Sequence, residues 1–400
     1  MSVTNSFPGG YLEEFPGGDL AIAGVSTSDT AFVDCFPSGP LDEAARITGF
    51  AEFETIFGGL DTRSEASYAI QQYFLNGGSV AWVVRVAAAH EPPSSEWNDP
   101  EGADALLGRS GDQKGIHALS GTGFNILCLP AAANLSAPSL KSVYDEAVKF
   151  CNDERAFLIV DIPPEVDTPK KATAWLDASQ NPDAITRDKN AAAYFPRLTI
   201  DDPPNANQRR NVGPSGTLAG IYARTDAQRG VWKAPAGLDA LLQGVNLVVA
   251  LTDNESGVIN RSGINALRNF PASGNVCWGA RTLEGWDQMG SEWKYINVRR
   301  TFLYLERSIY EGTKWVVFEP NDEPLWAQIR LYVGAFMEGI FRQGAFQGKS
   351  SREAYFVKCD RETTTQTDVD RGLLNIVVGF APLKPAEFVI IRIQLMAGQV

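Results

Sequence analysis

Residues 387–395 read EFVIIRIQL, an apolar pattern with the period of an extended strand. Val389, Ile391, Ile393 and Leu395 fall on one face, and Phe388, Ile390, Arg392 and Gln394 on the other. A strand with an apolar face and unpaired backbone groups invites pairing with another chain. Near the N-terminus, residues 7–15 form a short segment around Tyr11, Leu12 and Glu13, fenced by Pro8-Gly9-Gly10 and Pro16-Gly17-Gly18. It is too short to carry a core of its own. Two such arms predict a subunit that polymerises by lending strands to its neighbours.

Between the arms the pattern alternates. Helical spacing predicts a helix over 50–57 that stops at Gly58-Gly59, and another over 64–75 with Ala66, Ala69, Ile70, Tyr73 and Phe74 inward. A buried strand follows at 80–86. Residues 89–122 lose periodicity and gather Pro, Gly, Ser and Asp, which reads as an exposed loop and domain junction. Strands at 124–129, 156–162, 194–200 and 245–251 then interleave with helices at 139–151, 170–178, 218–224 and 262–268, with a loop over 201–213. This order predicts an α/β (α+β mixed) fold with parallel strands covered by helices. In the last third, helices are expected at 298–310 and 323–342 and strands at 314–318, 354–358 and 373–380. The long helix turns Leu325, Trp326, Ile329, Val333, Phe336, Met337 and Ile340 inward. Gly379, Pro382 and Pro385 mark where the C-terminal arm would bend away.

Composition narrows the function. Apolar residues make up 44% and charged residues 21%, ordinary for a globular chain. A net charge of −13 argues against nucleic acid or an anionic membrane as the main partner. No apolar run reaches the roughly 18 residues of a membrane helix, and no secretory leader is read at the N-terminus. Five scattered cysteines suggest free thiols and no disulfide framework.

The chemical motifs fail on spacing. In GAFQGKS (344–350), only three residues separate Gly344 from Gly348, where a phosphate-binding loop needs four, and the segment follows a helix. Gly121-Thr122-Gly123 lacks the third glycine of a dinucleotide turn, with Ile126 in its place. His90 and His117 have no partner at metal-binding spacing. Adjacent carboxylates such as Glu13 and Glu14 or Asp201 and Asp202 point to opposite faces of a strand, so they make no acid/base pair. No catalytic residue, cofactor or metal site is assigned. One charge feature remains. Arg299, Arg300, Arg307, Arg330, Arg342, Lys349, Arg352 and Lys358 concentrate cations in the last third of an acidic protein. They form either solvated helix faces or a basic surface that grips an acidic protein partner.

Several segments together resemble the contractile phage tail sheath family, found in phages and in phage-tail-like injection particles. They are PGGYLEE (8–14), GVSTSDTAFVD (24–34), FPSGP (36–40), ITGFAEFETIFGG (47–59), YFLNGGSVAWVVRV (73–86), ARTDAQRGVWKAPAG (223–237), YINVRRTFLYLERSI (295–309), FEPNDEPLWAQIR (318–330) and TQTDVDRGLLNIVVGFAPLKPAEFVIIRI (365–393). The resemblance implies a sheath subunit that polymerises helically around an inner tube and contracts to drive the tube through a target envelope. It implies donation of strands through Tyr11, Leu12, Glu13, Phe388, Val389, Ile390, Ile391, Ile393 and Leu395. It also places the tube-facing surface in the C-terminal third, where Arg330, Arg342, Lys349 and Arg352 are the candidate contacts. The implied partners are other sheath subunits, the inner tube protein, and baseplate and tail-terminator proteins, with assembly in the cytoplasm into a virion tail or injection particle. The expected layout is a donor arm (1–24), an inner domain in two pieces (25–88 and 286–382), a variable loop region (89–122), an outer α/β middle domain (123–285) and a second donor arm (383–400). The competing readings are an oligomeric α/β enzyme, which shares the strand–helix alternation but lacks a catalytic set, and a strand-swapped binding module of low order.

Overall fold

The computed structural model describes residues 21–87, 101–108, 110–206 and 208–387. Both predicted donor strands, Tyr11 to Glu13 and Phe388 to Leu395, lie outside the described residues, as does His90. Contacts divide the chain into two units. Described residues 25–307, 345–347 and 381–387 form the larger one, and 21–24, 308–344 and 348–380 the smaller.

The larger unit begins with β1 (Thr30–Asp34), β2 (Ala44–Ile47), α1 (Phe50–Phe57), α2 (Glu65–Leu75) and β3 (Ala81–Arg85). It continues with α3 (Glu101–Leu107), β4 (Ile126–Cys128), α4 (Ala137–Asp153), β5 (Phe157–Val160), α5 (Pro169–Trp175) and β6 (Ala191–Phe195). Then come β7 (Leu198–Asp202), β8 (Gln208–Val212), α6 (Ser215–Arg229), β9 (Asn246–Leu247), α7 (Asp253–Arg261), β10 (Ile264–Phe270), β11 (Gly274–Cys277) and α8 (Ile296–Gly312), whose last turns fall in the smaller unit.

An eight-stranded sheet orders as β11-β10-β6-β5-β4-β1-β3-β2. Its inner pairings are parallel, and β2 and β11 close the two edges antiparallel. Period-two alternation sends Val33, Leu158, Val160 and Ala193 into one apolar layer. Phe32, Phe157, Ile159 and Tyr194 enter the other. Helix α4 covers the first face with Leu140, Val143, Tyr144 and Ala147. Helices α1, α2 and α6 cover the second with Phe53, Phe57, Ile70, Tyr73, Leu218 and Ile221. Strands buried on both faces are near-continuous apolar runs, which is why VAWVVRV and AFLIVDI stood out in the sequence.

Two aspartates at strand ends organise the second face. Asp34, the last residue of β1, accepts hydrogen bonds from the Ser64 hydroxyl at 3.0 Å and the Ala66 N–H at 2.7 Å, at the start of α2. Asp161, just after β5, accepts from the Ser215 N–H at 2.9 Å and hydroxyl at 2.5 Å, at the start of α6. Each carboxylate satisfies donors that a helix N-terminus leaves open. Helices α2 and α6 then pack closely enough that a Cβ at Gly216 would lie 2.2 Å from the Ala69 carbonyl oxygen, and one at Gly220 2.5 Å from that of Tyr73. Only glycine permits that approach.

Several expectations need correction. Residues 101–122 are not an open loop. Helix α3 and the 3-10 turn Gly115–Leu119 bury Leu106, Ile116 and Leu119 in the first apolar layer, and the His117 ring meets Phe150 edge-on. Polar residues between the buried ones hid this periodicity. The helix expected at 262–268 is absent: 262–263 are a turn and Ile264–Phe270 is strand. Helix α7 ends earlier, started by a reciprocal Thr252–Glu255 capping box. Residues 201–213 are mostly the β7–β8 hairpin, whose polar turn and largely exposed β8 read as loop. The expected strand 194–200 is two strands: β6 stays in the large sheet, and after Pro196 β7 joins the three-stranded sheet β8-β7-β9. The single sheet also joins β1–β3 to β4–β6, segments expected in separate domains on either side of residue 123.

The smaller unit holds α9 (Glu323–Arg342), α10 (Ser351–Ala354), β12 (Tyr355–Lys358), α11 (Gln366–Asp370) and β13 (Val377–Phe380). Helix α9 starts on an Asp322 cap, and its buried residues are the seven expected from spacing. Residues 314–318, expected as strand, form a 3-10 turn ending at exposed Phe318, whose φ of 74° no strand allows.

Candidate functional site

Strands β12 and β13 form an antiparallel pair with Tyr355 opposite Phe380 and Lys358 opposite Val377. Among the described residues neither has a second strand beside it. Helix α9 supports the pair from one side: the Tyr355 hydroxyl donates to the Glu338 carboxylate at 3.1 Å, and Ser351 donates to the same group at 2.6 Å. Bonds from Ser351 and Arg342 hold the Glu338 carboxyl below its ordinary range. Apolar side chains on the pair remain open, with Phe356 50% and Val377 43% exposed. A two-stranded ribbon is marginal by itself, and exposed apolar strands are sites of strand addition.

The four candidate tube contacts all belong to the smaller unit. Arg330 is half-buried, pairing with Glu323 at 2.7 Å and donating to the Cys359 carbonyl. Arg342 is 77% exposed beside Glu338, 2.9 Å away. Lys349 and Arg352 are exposed where GAFQGKS leads into α10, and Gly344 and Gly348 take left-handed backbone as expected of a turn. Lys358 is exposed in the same unit, whereas the three arginines of α8 separate from this group. Arg299 and Arg300 are buried in the larger unit, so they cannot line a gripping surface. Arg299 lies over the Trp293 and Phe302 rings and donates to Asn190 at 2.5 Å. Arg300 pairs with Asp226 at 2.6 Å, and Arg307 is tied to the Phe124 carbonyl at 3.0 Å.

Three of the segments that carried the resemblance meet at that buried pair. Asp226 comes from 223–237, Arg300 from 295–309, and Thr27 from 24–34 donates its hydroxyl to Asp226 at 2.7 Å. A second cluster was not foreseen. Asn297 donates to the Leu383 carbonyl at 2.8 Å, and Glu387 receives Arg281, Asn260 and Tyr295. The residues were visible in the sequence, but their separation of about a hundred positions left no spacing signal.

Residues 288–396 match the family model for the phage tail sheath C-terminal domain. A tail sheath protein of Vibrio phage KVP40 is 26% identical over 390 residues, covering 92% of this chain and 55% of the relative. The chain thus spans about half the length of that curated relative. Among solved structures, the sheath complex of the PVC extracellular contractile injection system in its contracted state aligns with a TM-score of 0.73 and 26% identity, covering 98% of each chain. The helical sheath of the anti-feeding prophage in its contracted state aligns with a TM-score of 0.74 and 28% identity, covering 98% of this chain and 99% of the other. The likeness to contractile tail sheath proteins thus runs along nearly the whole chain.

Proposed function

We propose that this chain is the structural subunit of a contractile sheath that polymerises helically around an inner tube and shortens to drive the tube through a target envelope. The observation that carries this reading is the unfinished pair β12–β13, together with the strand pattern at 387–395. One surface accepts strands and another segment supplies them, a head-to-tail relation that propagates into a helical filament when it does not close. Strand addition uses backbone bonds, so the link tolerates rotation of the attached bodies. Contraction then needs no nucleotide: a gap of a few kcal/mol per subunit between two lattices, coupled over many copies, makes the event one-way. Other copies of the chain are the first partners. A tube protein facing Arg330, Arg342, Lys349 and Arg352 is the second, and baseplate and terminator proteins hold the ends. The particle is a virion tail or injection device assembled in the cytoplasm. Two carboxyls that burial raises, Asp34 to about 7 and Asp161 to about 6, are sealed helix caps and offer a substrate no access.

The test is removal of 388–400. The shortened chain is expected to fold and to form no tubes by negative-stain microscopy. Long tubes from the shortened chain would overturn the reading.

A further inference from the structure

Glu387 stands at the root of the C-terminal arm, and its surroundings are unusual for a residue so near a chain end. The Arg281 guanidinium grips the carboxylate with two bonds, Nε to Oε1 at 2.5 Å and a terminal nitrogen to Oε2 at 2.8 Å. Asn260 donates to Oε1 at 2.8 Å, the Tyr295 hydroxyl to Oε2 at 3.2 Å, and Lys294 lies 3.7 Å from Oε2. Arg281 itself is 1% exposed. Its remaining terminal nitrogen donates to the Asn260 carbonyl at 2.9 Å, the Gly285 carbonyl at 3.1 Å and Asp287 at 2.8 Å. A two-pronged, charge-assisted grip on a buried guanidinium is stronger and more directional than an exposed ion pair.

The grip continues inward. The Arg281 N–H donates to the Asn265 side chain at 2.7 Å, and the Asn265 amide donates to the carbonyls of Arg281 at 2.7 Å and Ala193 at 3.2 Å. Asn265 lies in β10 and Ala193 in its parallel neighbour β6. Glu387 is therefore bonded, through one side chain, to the large sheet. Leu383 is held separately by Asn297. The Leu383 tie follows Gly379 and Pro382, and the Glu387 tie follows Pro385 as well, so the chain is still bonded to the larger unit beyond those hinge candidates.

We propose that Glu387 is the anchor from which residues 388–400 reach a second copy of this chain, so that tension on the arm enters the eight-stranded sheet instead of the weak pair β12–β13. This rests on the strand-donation reading. It adds that the arm is rooted in the larger unit, while the candidate acceptor pair belongs to the smaller one. The polymer is then a series in which the strong body of one copy pulls on the completed ribbon of the next. Glu387 acts here as a positioning residue.

The experiment compares the full chain with Glu387→Gln, with the milder Tyr295→Phe, and with the chain ended after Glu387. Hydrogen exchange at 381–387, subunit melting and the urea resistance of assembled tubes are measured. Glu387→Gln is expected to speed exchange at 381–387 about tenfold, lower subunit melting only modestly because Asp287 still faces Arg281, and make the tubes come apart at lower urea. Tyr295→Phe moves the same way by less, and decides the matter if Glu387→Gln fails to fold. Unchanged exchange overturns the proposal. So do tubes as resistant as wild type, or a drop in subunit melting large enough to explain their weakness. Tubes from the chain ended after Glu387 would end the donation reading and the anchor together. If that chain forms none while Glu387→Gln tubes are normal, the anchor alone falls.

Discussion

The eight-stranded sheet and the β12–β13 pair differ in how far the chain completes them. In the larger unit, β1, β4, β5 and β6 are buried along their whole length, roofed by helices on both faces and closed by antiparallel edges. In the smaller unit, β12 and β13 keep apolar side chains half in solvent and, among the described residues, have only each other. A domain of this size has ample apolar sequence to finish a second sheet. On the strand-donation reading proposed above, leaving one unfinished while finishing the other separates two tasks: one body keeps its shape alone, and one surface is left for a strand of another molecule.

Matched truncations break or sharpen that contrast. Phe157→Ala empties a fully buried ring position in β5 and is expected to cost about 3–5 kcal/mol of subunit stability. Phe356→Ala in β12 removes a ring already half exposed, and is expected to cost less than about 1 kcal/mol by urea denaturation while reducing tube formation. Equal losses in the two variants would show that the ribbon is an ordinary part of the core.

A buried charge extends the comparison. Arg300 and Asp226 are both shielded from water, so Asp226→Asn leaves a buried guanidinium without its counter-charge. The expected loss is about 3 kcal/mol, read from the denaturation midpoint. No exposed pair in the smaller unit should approach that value.

Legibility in the sequence followed the same division. Helices α1, α2, α4 and α9 were readable to within a few residues because each buries one stripe and stops at a cap or glycine. The central strands were readable because burial on both faces makes them uniformly apolar. Failures came where context decides. The sequence SGINALR has helical spacing, yet it becomes β10 because it fills the place between β6 and β11. Residues 201–213 are polar because the hairpin turn and most of β8 face solvent. Cations offered no clue to burial: Arg299, Arg300 and Arg281 look like surface residues until their partners, far away in sequence, are brought beside them. The predicted donor strands lie outside the described residues, and the clamp on Glu387 left no pattern in the sequence, since it exists only in three dimensions.

The pH response tests whether the large sheet's helix caps behave as sealed interior. Burial pushes the Asp34 carboxyl up from its ordinary 3.8 to about 7, against the pull of the Ala66, Cys35 and Ser64 donors. Between those values the folded chain keeps a proton that the unfolded chain has lost, so this group's contribution to stability falls as pH rises from about 4 to about 7. Asp161, raised to about 6, acts in the same direction. Asp34→Asn is expected to flatten the melting temperature across this window. Glu387 has the opposite sign. Burial would raise it, but the bonds from Arg281 and Asn260 outweigh that and hold it below its ordinary 4.5, so its contribution is lost only as pH falls below about 4.5. A wild-type melting temperature that rises from pH 5 to pH 8, with Asp34→Asn showing the same rise, would contradict the assignment for Asp34.

The smallest effect on the subunit belongs to Arg342, and it addresses the smaller unit as a docking surface. Its side chain is mostly in water, and its bond to Glu338 one helical turn earlier is of the kind that contributes only about 0.3–0.5 kcal/mol. Arg342→Glu places like charges side by side at that spacing, which adds a penalty of similar size. Subunit melting should therefore barely move. If this face meets an acidic tube, the same substitution reverses a charge at the contact, and co-sedimentation of sheath with tube should weaken and lose part of its salt dependence. Lys349→Glu and Arg352→Glu should act alike, since both side chains are exposed in the same unit. Arg330→Glu is the poorer probe, because its bonds to Glu323 and the Cys359 carbonyl confound a local structural loss with a lost contact. Tube binding that survives reversal of Arg342, Lys349 and Arg352 together would remove these cations from the tube interface, leaving them as the solvated helix face that the sequence equally allowed.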